Sequence, residues 1–531
     1  MNTTRILRRL ASLALVPLLA AGCGPDAPPP SGPRTGVYDG SGRLVEGARD
    51  RVSPPNVVLL VLDTTRADGI EAVGGLPPAM PALRAFAATC ARFTDASTPA
   101  AWTAPSVTSI LTGLNPSDHG VQGRFQASPL IPAVATLAEY LNSAGYQTAA
   151  FTAGGWVSEE MGLAQGFERF TEPWHLGDPQ DIALRWLRQT DKNRPFFLLL
   201  HTYEAHDPYG AKHPPDGHDD PARIARTQDL VRRLAAAAGA TDGDGSRLYD
   251  TLGPAGAKEL FLAWRSDPLS RQPLQAQIGR EKLAGPVIRY TVEGLPQDPE
   301  REATIRHLAD RYRRGLEAMD AQFGTFVSKL DHAGLPGRTV VVVCSDHGEA
   351  FGEHEILGHG RWLWDELTRG ILLVRAPGRL RAGEVRGGCG AVDVVPTVLD
   401  LAGLPTPRDL AGRSLLPLAL GRATGHPVRA EDFRLDYGTD GIGGEDTVLR
   451  VVSVRSERAK WISTWNPRTR AATETLFDLV ADPGERSPLP AADLARFGAD
   501  FGAEVGRARA LVATFPTRTD NEGSGRFSVG D

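Results

Sequence analysis

Four short runs of apolar, β-favouring residues constrain this chain more than any other feature: Val57–Leu62, Phe196–Leu200, Val340–Val343 and Ile371–Val374. Each run is continuous rather than alternating, so its side chains need burial on both faces of a sheet. Between them lie stretches of helical character, Ala133 to Ser143, Asp181 to Gln189, Arg301 to Asp331 and Val392 to Ala402, with Gly145 and Gly403 closing the first and last. Buried strands alternating with helices predict an α/β fold: a large central sheet, mostly parallel or mixed, sandwiched by helices. Beyond Gly403, Val448–Val454 and Lys460–Thr464 alternate in polarity and predict a small C-terminal antiparallel subdomain.

Polar residues cluster just after these runs. Asp63 ends the first, His201 and His206 follow the second, and Asp346 and His347 follow the third. Ligands of open α/β sheets bind beyond the carboxyl ends of the strands. An isolated Asp-His pair reads first as a helix cap beside a surface histidine, but three strand ends delivering such residues point to one site. Gly348 allows the sharp turn that lets Asp346 and His347 reach one cation. With Asp63 they make a mixed oxygen and nitrogen set suited to Zn or Mn and less obviously to Ca.

The surrounding text carries a family resemblance. Val340-Val-Val-Val-Cys-Ser-Asp-His-Gly-Glu349, with Gly352-Glu-His354 and Gly358-His-Gly360 behind it, resembles the second metal motif of sulfatase-like enzymes of the alkaline phosphatase superfamily. Asn56 to Asp68 resembles their opening strand and first metal loop, and Thr103-Ala-Pro-Ser-Val-Thr-Ser-Ile-Leu-Thr-Gly113 their nucleophile segment. His206-Asp-Pro-Tyr209 is similar to their substrate-side histidine loop, and Ala391 to Gly403 and Thr475 to Glu485 to the closing part of the domain. The resemblance implies a divalent metal ion (Zn, Mn or Ca) held by Asp63, Asp346 and His347, with Thr103 facing it as nucleophile. It also implies that His206 and His359 contact the ester oxygens or the leaving group. The substrate implied is an anionic ester, a sulfated or phosphorylated glycan, lipid or small molecule, cleaved through a covalent threonine ester.

The pattern also departs from typical sulfatases. Their nucleophile is an oxidisable Cys or Ser followed by Pro and Arg, where Thr103-Ala-Pro-Ser-Val107 stands here. Thr64 replaces a second aspartate, Gly155 stands at a lysine position, and no lysine lies between Ser345 and Gly370. These features resemble threonine-nucleophile relatives such as lipoteichoic acid synthases and phosphoethanolamine transferases, which act on phosphate esters. A phosphoryl-linked head-group transferase and a non-catalytic glycan-binding relative are therefore the alternatives to an ester hydrolase.

Other residues support lesser expectations. Ser106 reads as a hydrogen-bond donor at a helix start, and His119 as a structural histidine. His354 fits a pocket edge or a loose loop. His201 fits a packed, hydrogen-bonded histidine at least as well as a ligand, and Arg66 and Arg361 are candidates for steering an anion.

The domain plan runs from residues 1–22, a signal peptide, through 23–53, a tether, to a catalytic domain over 54–445. An insertion at about 210–300, a C-terminal subdomain over 446–518 and a loose tail over 519–531 complete it. The basic Arg5, Arg8 and Arg9, the apolar Leu10 to Leu19 and Ala20-Ala-Gly-Cys23 resemble a bacterial lipoprotein signal, which implies export and lipid anchoring to the cell envelope at Cys23. The alternative is a plain secretory signal. Cys90, Cys344 and Cys389 have no metal-like spacing and suggest no disulfide framework. The net charge of -6 argues against a nucleic-acid partner.

Overall fold

The computed structural model describes residues 54–70, 79–122, 127–172, 179–206, 301–333, 335–360, 362–436, 447–466 and 471–514. The expected signal and tether, the insertion, Arg361 and the tail from 519 lie outside the described residues.

Eight strands form the central sheet: β1 (Asn56–Leu62), β2 (Ala91–Phe93), β3 (Gln147–Phe151), β4 (Arg169–Thr171), β5 (Phe196–Thr202), β6 (Thr339–Ser345), β7 (Leu372–Arg375) and β8 (Gly383–Val385). Their order is β8-β2-β7-β6-β1-β5-β3-β4. The sheet is mixed, as expected, because β7 runs antiparallel to both of its neighbours while the remaining pairs are parallel.

The apolar runs sit where both faces are covered. Val58, Leu60 and Leu62 of β1 join one core, and Val57, Leu59 and Val61 join the opposite one. The helices flanking the sheet are α1 (Pro81–Ala87), α2 (Thr103–Thr112), α3 (Leu137–Ser143), α4 (Pro179–Gln189), α5 (Arg301–His332) and α6 (Val394–Ala402). On α5, Leu308, Tyr312, Leu316, Met319, Phe323, Phe326 and Leu330 recur every three or four residues and fill the first core. Val107, Ile110 and Leu111 of α2 fill the second. Helix α3 starts later than its apolar pattern suggests. Thr136 caps it reciprocally with Glu139, so Ala133 stays outside.

The C-terminal subdomain is an antiparallel sheet of β9 (Val428–Asp436), β10 (Thr447–Arg455), β11 (Ala459–Asn466) and β12 (Ala471–Asp478), followed by α7 (Ala499–Thr514). It begins at Val428, upstream of the boundary expected at 446. Charged residues hide β9 from the polarity pattern: Glu431 is buried, yet accepts hydrogen bonds from the Ser117 backbone and hydroxyl. One face of this sheet packs Ala430, Val451, Ile462 and Phe477 against Leu363 and Leu367 of the catalytic domain. The other packs Val452, Val454, Trp461 and Leu476 against Phe501, Val505, Ala508 and Val512 of α7. Among the described residues, no helix is long and apolar enough to cross a membrane.

Candidate active site

The register of the three central strands builds the site. Val61 pairs with His201 on one side and Cys344 on the other, and Leu62 pairs with Ser345. Partners across parallel strands point to the same face, and so do residues two apart along a strand. Asp63 and Asp346, one step past the paired Leu62 and Ser345, therefore leave the sheet side by side on the His201 face. Helix α2 covers that face and begins with Thr103.

The donor atoms of Asp63, His201 and Asp346 all lie within 4.8 Å of one another, and all three side chains are buried. The Thr103 hydroxyl stands 3.1 Å from Asp63 Oδ2 and 3.2 Å from His347 Nε2. His347 Nε2 is 3.5 Å from Asp346 Oδ2, and its Nδ1 donates to the Gly348 carbonyl at 3.0 Å. Thr103, Asp63, Asp346 and His347 thus lie together at one end of the sheet. The backbone supports them: Thr64 adopts φ 56, aims its N–H at Asp346 Oδ1 (3.1 Å), and donates its hydroxyl to Asp63. Tyr312 of α5 donates to the Thr64 carbonyl at 2.8 Å. Ser106 donates to the Asp346 carbonyl at 2.5 Å, the structural role expected of it.

These donors fit a divalent cation. Neither ring nitrogen of His201 makes a close hydrogen bond, Nε2 standing 3.6 Å from Asp63 Oδ2, and buried Asp346 Oδ2 has only His347 Nε2 at 3.5 Å, an arrangement that is costly unless something else binds these atoms. Burial and the neighbouring Asp63 carboxylate push Asp346 well above the usual carboxylate range. Burial opposes ionisation of Asp63 too, but the imidazoles of His201, His206 and His347 hold its carboxyl low. Burial lowers His347 to about 3, so its ring is neutral and its nitrogen is available to a metal. His201, left open between packing and ligation by its sequence, is brought by register into the group of Asp63 and Asp346 that could hold an ion.

A wall of rings faces Thr103. His359 stacks on Trp102 at 5.3 Å and lies 4.5 Å from the His347 ring and 4.9 Å from the His206 ring, centroid to centroid. Tyr203 packs edge-on against His201 and His206, and its hydroxyl accepts from the Trp156 N–H at 3.2 Å. The open side of Gly155 faces this tyrosine: a Cβ there would stand 3.5 Å from the phenol oxygen.

A sulfatase family model matches residues 55–404, and a second, N-sulphoglucosamine sulphohydrolase, C-terminal, matches 352–493. The chain belongs to the sulfatase family. It is a sulfuric ester hydrolase by family, and 24% identical over 491 residues to the N-acetylglucosamine-6-O-sulfatase of Bacteroides thetaiotaomicron, covering 83% of each chain. Human arylsulfatase K is 38% identical over 182 residues, about a third of each chain (34% and 33%). Two solved structures share the fold. BT4656, in complex with D-glucosamine-2-N,6-O-disulfate, superposes with TM-score 0.59 at 20% identity over 88% of this chain and 100% of its own. The phosphonate monoester hydrolase of Agrobacterium radiobacter gives 0.58 at 18% identity over 86% and 96%.

The remaining sequence candidates of this sulfatase lie outside the convergent group of Asp63, Thr103, His201, Asp346 and His347. Arg66 is committed to Asp68, Glu353 at 2.7 Å and the Glu349 carbonyl, which braces two loops rather than steering an anion. His354 is not loose. It stacks on Trp364 at 4.0 Å and bonds Glu366 and the Glu485 carbonyl. His119 is structural, as expected, between Ser109 and the Val121 N–H. Glu349, which bonds His359, lies within the Val340–Glu349 motif, but its role cannot be read there because it depends on pairing across a hairpin.

Proposed function

We propose that this sulfatase-family enzyme cleaves a sulfate or phosphate-type ester of a sugar through a covalent ester on Thr103. One observation carries the reading: the Thr103 hydroxyl sits at the start of α2, within 3.1–3.2 Å of Asp63 and His347, where the donor atoms of Asp63, His201 and Asp346 converge. Asp63, Asp346 and His347, with His201 as a further donor, would hold the cation. When bound, the cation lowers the pKa of a coordinated hydroxyl and offsets charge on the ester's non-bridging oxygens. Thr103 Oγ attacks sulfur or phosphorus and its proton leaves to the Asp63 side. The N-terminus of α2 favours the anion held there. His206 and His359, across the wall of rings, contact the departing oxygen. Water then attacks the threonine ester and releases the inorganic anion.

The sugar leaving group is supported by the N-acetylglucosamine-6-O-sulfatase and by the disulfated glucosamine bound in BT4656. A second reading, a phosphodiester or phosphonate substrate, draws on the non-oxidisable nucleophile and on the fold shared with a phosphonate monoester hydrolase. The decisive experiment assays the chain from residue 34 on aryl and glucosamine 6-O-sulfates, a phosphonate monoester and a phosphodiester, with Mn, Zn and Ca, beside Thr103→Ala. Equal turnover by both proteins removes Thr103 as nucleophile. Turnover of phosphorus esters alone selects the second reading. We also propose export and lipid attachment at Cys23. Metabolic palmitate labelling, lost in Cys23→Ala, tests that.

A further inference from the structure

Glu349 and His359 are ten positions apart, yet a hairpin sets them side by side. Ala350–Phe351 pairs antiparallel with Leu357–Gly358, and Ala350 faces Gly358, so the next residues outward, Glu349 and His359, face each other. The turn between them is tight: Gly352 accepts φ 98 and its N–H bonds the Ile356 carbonyl at 2.8 Å. Across this pair His359 Nδ1 lies 3.1 Å from each carboxylate oxygen of Glu349. A carboxylate accepts and does not donate, so Nδ1 carries the proton and Nε2 occupies the opposite edge of the ring.

A carboxylate with no exposed surface is costly to bury, and a purely structural hairpin gains little from one. The imidazole that Glu349 grips is held on its flat side too, stacked on Trp102, the residue directly before Thr103. His359 is therefore fixed in orientation by one residue and in plane by another, beside the rings of His347 and His206.

We propose that Glu349 is a positioning residue that makes His359 the proton donor to the departing alcohol. This rests on the Thr103 reading above. His359 enters this step as the imidazolium, with one proton on Nδ1 toward Glu349 and the second on Nε2; as the bond from Thr103 Oγ to sulfur or phosphorus forms, the bond to the alcohol oxygen breaks, and that oxygen takes the Nε2 proton, leaving the neutral ring. In the second half-reaction a water gives a proton back to Nε2 while its oxygen attacks the threonine ester. Glu349 never exchanges a proton; its carboxylate favours the charged ring before donation, keeps the proton on Nδ1 after it, and fixes the aim of Nε2.

Proton donation to a leaving group matters most when that group is a poor one. Two esters of the same acid, one of an acidic nitrophenol and one of a sugar alcohol, separate this role from general damage. Glu349→Gln and His359→Asn are expected to lower kcat on the sugar ester by roughly 10²–10⁴-fold, with KM little changed and a far smaller loss on the aryl ester. Bound metal, measured by mass spectrometry on the purified variants, should match wild type. The proposal is overturned if Glu349→Gln loses equally on both esters, or if its loss follows lost metal. Should Glu349→Gln not fold, Glu349→Asp and His359→Asn are put through the same comparison, and equal losses on the two esters overturn the proposal there as well. Failure of the underlying reading looks different: Thr103→Ala then remains as active as wild type on both esters.

Discussion

Lys460 Nζ lies 2.8 Å from Asp365 Oδ1, with the lysine side chain fully buried. The same ammonium reaches Glu485 at 3.0 Å and the Thr368 hydroxyl at 3.3 Å, and Arg455 grips Asp365 from the other side at 3.0 Å. The C-terminal sheet thereby clamps the segment from Asp365 to Ile371. That segment touches both arms of the active site: Leu367 and Glu366 accept from the N–H groups of Gly348 and Glu349, and Thr368 accepts from the Thr98 N–H on the approach to Thr103.

Lys460→Met removes one member of this cluster and leaves buried carboxylates without it. Loss of one partner of a buried pair typically costs about 3–5 kcal/mol, so urea unfolding should show a lower midpoint. Metal affinity should fall as well, because the loop of Asp346 and His347 loses its brace. Calorimetric titration of metal-free protein checks this, and unchanged affinity would confine the clamp to stability.

His201→Gln removes an imidazole from the donor group while roughly keeping its volume. Metal affinity is expected to drop by at least the 10–100-fold typical of supporting residues, with the fold intact by circular dichroism. Wild-type affinity in this variant would return His201 to the packed core.

Thr103→Ala should reduce kcat by more than about 10³-fold while metal still binds, and Thr103→Ser should recover much of the rate because it keeps a hydroxyl. Trapping the threonine ester by acid quench and peptide mass spectrometry tests the covalent step directly. A label found on Ser106 would reassign the nucleophile.

His426 gives a pH dependence remote from the chemistry. Burial works against its protonation, but the Asp393 carboxylate 3.0 Å away outweighs that and raises it above 6.5. A raised histidine stabilises the fold fully below its unfolded value and loses that contribution as pH climbs through its folded one. Unfolding free energies should therefore decline as pH rises above about 6.5, and the decline should flatten in His426→Gln. Parallel slopes for the two proteins would refute this.

Much of the fold is legible in the sequence because four apolar runs leave little choice but a sheet buried on both sides. The group of Asp63, Thr103, Asp346 and His347 can be read because each residue sits at a strand end or helix start with a recognisable surround. His201 is harder: its last apolar neighbour is Leu200, yet the strand continues to Thr202, and only pairing with Val61 shows which way the ring faces. Glu349 stands in a recognisable motif, but its contact with His359 cannot be read until the hairpin closes. Strand β9 is hidden by Glu431 and Asp432, whose burial depends on contacts far away in the chain.

The register of β1 with β5 and β6 has a consequence for biogenesis. Three segments far apart in the chain must be laid together before any of the ligands has company. A chain cut short before Asp346 retains Thr103 but lacks half of its activating surroundings. High-affinity uptake of the ion should thus mark the moment of complete assembly, and amino-terminal fragments should remain chemically silent.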